Sequence, residues 1–235
     1  LGGEMYVDGK GPQPHSPSRK MDMTDIEQAI GEYVSAAENA IKAGFDGVEL
    51  HGANGYLIEQ FLNANVNDRD DQYGGSNENR NRFALEVADA VVKTIGAEST
   101  GIRLSPHGVF NETGPYEGVD KQYYELAESL GEMKLAYIHI VDHAAMGAPE
   151  VPEVVKTNIK DSFGGTFILS GGYDLERAEA DLERGAGDLV AFGRPFISNP
   201  DLVRRMQEGI ELAQPNYDLF YTPGAEGYID YPIAD

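Results

Sequence analysis

Helical stretches and short apolar runs alternate along this chain, and no two-residue hairpin turn joins any pair of the apolar runs. Antiparallel neighbours can be joined by a tight turn, whereas parallel neighbours need a long crossover, so this pattern demands a parallel sheet. The first predicted helix starts at Thr24, whose side chain forms a capping box with Glu27. Ile26, Ile30, Tyr33, Val34, Ala37 and Ile41 recur on its apolar face, and Gly44 ends it. Val48, Glu49 and Leu50 are too few for a helix and read as a strand running into His51. A helix from near Ser76 to Gly96 leads to a strand over 101–104. A helix marked by Tyr123, Leu126 and Leu130 leads to a strand over 136–141, and a helix over 151–163 to a strand over 166–169. Asp174 caps a helix closed by Gly185, a strand over 189–192 follows, and Asn199 with Pro200 opens a last helix.

Short apolar strands buried on both faces favour a closed barrel or a doubly wound sheet. The strand count is about five, against the eight of a (β/α) barrel, and a helix comes first. A barrel short of about three strands exposes unpaired N–H and C=O groups at its edges. Either the sheet is open or another chain supplies the rest. Residues 1–23, rich in Gly, Pro and Ser, are expected to form a loop or hairpin excursion beside a single domain over 24–235.

Composition narrows the function. No apolar run reaches membrane-spanning length, and 40 acidic against 18 basic side chains give a formal charge of -22, which repels nucleic acid and anionic lipid. The absence of Cys removes disulfides, thiolate nucleophiles and cysteine metal sites together. His15, His107, His139 and His143 show no metal-ligand spacing. The start at Leu1 carries no signal-peptide pattern, so the cytoplasm is the expected compartment.

The residues with chemistry cluster after strands, where barrel enzymes keep their active sites. His51, Asn54 and Tyr56 follow the first strand. The spacing of His51 and Asn54 suits one face of a helical turn. They can act as paired donors to a substrate oxygen or simply as the capped start of a helix. Tyr56 cannot share that face, so the backbone must curve if Tyr56 and Asn54 address one ligand. Arg103 ends the next strand, where a buried cation needs a negative partner, either an acidic side chain or a ligand. Gly171, Gly172, Gly193 and Arg194 follow the last two strands, in loops that serve as ordinary turns or cradle a phosphate.

Residues 51–83, HGANGYLIEQFLNANVNDRDDQYGGSNENRNRF, resemble the old yellow enzyme family of flavin-dependent ene-reductases. In that family a His, an Asn or His three residues on, and a Tyr two further on lead into a D-x-Y-G-G-S-x-x-N-R signature. GIRLSP at 101–106, ILSGGY at 168–173, AFGRPFISNPDL at 191–202 and the closing FYTPGAEGYIDYP support the resemblance in order. It implies a TIM (β/α)8 barrel of which this chain supplies about the last five β/α units. The first three strands, an early flavin-contacting loop and a flavin-holding Gln would come from a complementary N-terminal barrel segment. It further implies FMN as cofactor, NAD(P)H as electron donor, and an activated alkene as substrate, an enone, nitro compound or nitrate ester, reduced by a ping-pong mechanism. His51 and Asn54 would then hold the substrate oxygen, Tyr56 would give the proton, and Arg103 would lie by the pyrimidine edge of the flavin. Gly171, Gly172, Gly193 and Arg194 would hold its phosphate, and Tyr221 would line the substrate pocket. Two other readings stand beside this one: a non-catalytic remnant or subunit that binds a partner through open strand edges, and a phosphosugar isomerase or aldolase barrel. The second lacks a strand-end Lys, and no Glu stands out as a base.

Overall fold

The computed structural model describes residues 4–7 and 10–234; the expected excursion over 1–23 is therefore seen from Glu4 on, without residues 8 and 9. Strands β1 (Glu4–Val7) and β2 (Gly11–Pro14) pair antiparallel. Helix α1 (Met23–Lys42) follows. Its cap differs from the Thr24 and Glu27 box expected from sequence. Asp22 Oδ1 accepts from Asp25 N at 3.0 Å, and Asp25 Oδ2 accepts from Asp22 N at 2.9 Å. Two carboxylates at the positive helix end do the same work two residues earlier, leaving Thr24 inside the first turn.

The main sheet has β3 (Val48–Gly52), β4 (Thr100–Leu104), β5 (Tyr137–Val141), β6 (Thr166–Ser170) and β7 (Leu189–Ala191), all parallel and in sequential order. Helices α3 (Asn77–Ile95), α4 (Val119–Glu132), α5 (Glu153–Phe163) and α6 (Leu175–Glu183) make the crossovers. Parallel crossovers are right-handed, so five strands in unbroken order place these helices on one face; a doubly wound sheet would reverse its order to cover both. That is the barrel arrangement.

The two faces differ accordingly. Leu50, Ile102, Leu104, Ile138, Ile140, Phe167 and Leu169 are buried under the helices. The opposite face carries Glu49, His51, Arg103, His139 and Ser170, with His51, Arg103 and His139 side by side in the register. Burial on both faces, the sequence expectation, holds at His139, Val141 and Ser170, but this second face is largely polar where the expectation was apolar. A barrel's inner face is lumen rather than helix interface, and here it is knit by polar bonds. His139 Nδ1 lies 2.9 Å from Glu49 Oε2 and its Nε2 lies 2.8 Å from Ser170 Oγ.

Two helices have no counterpart in the sequence reading: α2 (Leu57–Leu62), just after β3, and α7 (Arg194–Ser198), just after β7. At six and five residues neither completes two turns of periodicity. Helix α8 (Leu202–Glu208) begins after Asp201, two residues beyond the expected Asn199 and Pro200 start. Phe83, fully buried on α3, stacks on Phe61 of α2 with ring centroids 4.2 Å apart. This stack ties the site-bearing α2 to the outer layer. Phe83→Ala is expected to cost about 3–5 kcal/mol in denaturant unfolding; a loss below about 1 kcal/mol would show that the site is anchored elsewhere.

Candidate active site

The carboxyl ends of all five parallel strands open into one cleft of about 660 Å³. Asn54 and Tyr56 line it after β3, Arg103 from β4, His143 after β5, Gly171 and Gly172 after β6, and Gly193 and Arg194 after β7. Seven of the nine residues singled out in the sequence are therefore brought to one place, with His51 beside them and Tyr221 apart. The His51 ring lies 5.4 Å from the Tyr56 ring. Tyr221 is 75% exposed in the C-terminal segment and does not line the cleft.

The turn between β3 and α2 shapes one wall. Asn54 (φ 60) and Gly55 (φ 71) are both left-handed, so His51 and Asn54 do not lie on a helical turn as their spacing suggested. His51 is the penultimate residue of the strand and Asn54 sits in the turn. This is the curvature that lets Asn54 and Tyr56 face the same space. Gly55 is required there, since a Cβ would run into the Phe110 carbonyl as well as the left-handed backbone.

Electrostatics set protonation. Burial, reinforced by the Arg103 charge, holds the His51 pKa below its ordinary value. Burial, again with Arg103 and with Arg194, does the same to His143, so both rings are neutral at neutral pH. His143 packs edge-on against Phe110 at 4.7 Å. Its position at a strand end was the available signal; a search for metal spacing alone passed over it. Glu59 was also passed over. It is 1% exposed, and burial pushes its carboxyl up to about 7, although Gly55 N–H, Ser105 and Tyr123 hydrogen bonds oppose the rise.

Three buried side-chain polar atoms among the described residues have no hydrogen-bond partner: Asn54 Oδ1, Arg103 Nε and His143 Nδ1. All three belong to residues lining the cleft. Orphaned buried polar atoms are costly, and three of them in the lining residues of one cavity fit a ligand site.

The description NADH:flavin oxidoreductase / NADH oxidase family matches residues 6–213. The chain belongs to this family. It is 41% identical over 255 residues to flavin oxidoreductase hxnT of Emericella nidulans, covering 100% of this chain and 64% of that protein. It is 41% identical over 235 residues to 12-oxophytodienoate reductase 2 of Arabidopsis thaliana, covering 99% and 63%. The structure of morphinone reductase in complex with tetrahydroNAD superposes with a TM-score of 0.90 at 39% identity, covering 99% of this chain and 63% of that one. The chain thus spans under two thirds of the length of these relatives, and its five-stranded sheet is part of a TIM barrel of the old yellow enzyme type.

FMN, the cofactor of the family, fits the residues present. Arg103 Nε is a buried donor awaiting a negative acceptor. Gly171 (φ 118) passes so close to the Asp142 carbonyl that any Cβ would collide with it, and Gly172 (φ 67) continues the tight path. Such a loop can present backbone amides to a phosphate, and Arg194 lines the same cleft with the fixed charge a phosphate needs. The D-x-Y-G-G-S-x-x-N-R stretch, by contrast, is a clasp outside the cleft lining. Arg80 donates to Gln122 Oε1 at 2.9 Å through Nε, Tyr73 Oη to Glu86, and Asn79 to the Gly74 carbonyl.

The raised Glu59 pKa has a stability consequence. Folding favours its protonated form, so its contribution is fully present below the unfolded value of 4.5 and is lost as pH rises through about 7, on the order of 3 kcal/mol in all. Thermal melts are expected to weaken across that window for the natural protein and to lose that limb in Glu59→Gln. A variant with the natural slope would contradict it.

Proposed function

We propose that this chain forms the larger, C-terminal part of an FMN-dependent ene-reductase that passes reducing equivalents from NAD(P)H to the C=C bond of an activated alkene by a ping-pong mechanism. The observation that carries the reading is the presence of three unpaired buried polar atoms, one a guanidinium nitrogen, in residues that line a cleft together with the Gly171 and Gly172 loop. FMN, when bound, supplies the two-electron chemistry that links the nicotinamide donor to the alkene. The tetrahydroNAD in the morphinone reductase structure supports a nicotinamide donor here.

The chain's own residues bind, orient and deliver a proton. Arg103 holds the electron-rich edge of the cofactor, while Gly171, Gly172, Gly193 and Arg194 hold its phosphate. His51, neutral at this pH, and Asn54 donate to the carbonyl or nitro oxygen of the substrate. They draw off charge as the alkene is reduced. Tyr56 Oη gives its proton to the alkene carbon beside the activating group; a half-exposed phenol at the cleft mouth can regain it from solvent. Nitro compounds and nitrate esters fit the same donor pair.

Residues 24–235 act in this reading as one partial barrel, working in the cytoplasm and completed by an N-terminal segment that pairs along the free edges of β3 and β7. A partner-binding remnant is the second reading, favoured by those same edges. Among the described residues no helix is long and apolar enough to cross a membrane.

Tyr56→Phe separates the readings. In the natural holoprotein it is expected to slow reduction of 2-cyclohexenone by about 10²–10⁴-fold while leaving flavin reduction by NAD(P)H nearly unchanged. Equal losses in both half-reactions would remove Tyr56 from the proton-donor role.

A further inference from the structure

Asn54 and Gly55 are two consecutive left-handed residues, and the first is not a glycine. Such a conformation persists where the surroundings over-determine it. Here every backbone polar group of the pair is bonded to a side chain. Asn54 N donates to Ser105 Oγ at 2.9 Å, and the Asn54 carbonyl accepts from Asn111 Nδ2 at 2.9 Å. Gly55 N donates to Glu59 Oε2 at 2.6 Å, and the Gly55 carbonyl accepts from Gln60 Nε2 at 2.8 Å.

Two of these four bonds converge on one carboxylate, because Ser105 Oγ, having accepted from Asn54 N, donates to Glu59 Oε2 at 2.8 Å. Glu59 thus receives Gly55 directly and Asn54 through a hydroxyl that stands just past β4. The turn is thereby fastened both to α2 and to the neighbouring strand. The groups acting on the carboxyl, Gly55 N–H, Ser105 and Tyr123, are all uncharged donors, so no cation offsets the cost of burying it. An apolar side chain of that size would avoid the cost but leave Gly55 N–H unpaired in the interior. A buried acid kept without a counter-charge at this point has a task that packing does not explain.

We propose that Glu59 is a positioning residue: its buried carboxylate, bonded to Gly55 N–H and the Ser105 hydroxyl, holds the left-handed turn that aims Asn54 and Tyr56 into the cleft. Glu59 does not line the cleft, so it acts through the turn rather than on a ligand. What the turn is aimed at rests on the ene-reductase reading; the holding of the turn does not.

Three variants of the natural holoprotein test this: Glu59→Met removes both acceptor oxygens at similar size, Glu59→Gln keeps one, and Ser105→Ala cuts the link to Asn54. The readouts are kcat and KM for 2-cyclohexenone and amide hydrogen exchange across residues 53–57. Glu59→Met is expected to lower kcat/KM about tenfold and to speed exchange in that segment, with Glu59→Gln near the natural protein in both. Combining Glu59→Met with Ser105→Ala should cost little beyond either alone, since both act on one turn. Should Glu59→Met not fold, Ser105→Ala carries the same expected losses. Natural exchange and kcat/KM in Glu59→Met, or a Gln variant as impaired as Met, would overturn the proposal. If the natural protein reduces no 2-cyclohexenone, the ene-reductase reading falls and exchange alone decides. Faster exchange in Met but not Gln upholds the role of Glu59, and equal exchange in all three proteins ends it.

Discussion

The single hand of parallel crossovers, applied to five strands in unbroken order, is the constraint on which the rest depends. It sends the crossover helices to one side and leaves the other face of the sheet as a lumen. It also gathers every strand's carboxyl end at one rim, so residues scattered from Asn54 to Arg194 meet around one cleft. The polar inner face, with Glu49, His139 and Ser170 bonded to one another, belongs to the same arrangement.

Within that frame the β3–α2 turn does the finest work. A strand ending at Gly52 and a helix starting at Leu57 leave four residues in which to turn an amide and a phenol toward one space. Two left-handed residues achieve it, and the bonds from Ser105, Asn111, Glu59 and Gln60 hold them. The β6 loop solves a different problem with the same means. Gly171 lets backbone pass against the Asp142 carbonyl, where no side chain would fit, along the lining of the cavity.

Much of this was legible in the residues. The strands at Val48, Gly101, Tyr137, Thr166 and Leu189 are short, apolar and set off by glycine or helix ends, so period and punctuation found them. The need for a bend between Asn54 and Tyr56 followed from helix geometry alone. Helices α2 and α7 escaped because one or two turns carry no period, although Pro195 was a start signal for the second. Glu59 and His143 escaped for a different reason. Nothing local distinguishes a buried acid from a surface one, and the significance of both arises from tertiary burial, to which Arg103 on the neighbouring strand adds its charge at His143. The D-x-Y-G-G-S-x-x-N-R stretch teaches the converse: it was the most specific part of the resemblance, and its residues fasten α3 to the loop before it and to α4. A signature can mark a family through its scaffold.

In the proposed function, the cleft between the five strand ends holds a flavin that a nicotinamide can reduce. A visible absorption spectrum of the natural protein, taken before and after adding NAD(P)H without air and again after adding 2-cyclohexenone, tests it most directly. Flavin bands that bleach with NAD(P)H and return with the enone are expected; a colourless protein, or bands that NAD(P)H leaves unchanged, would rule this out.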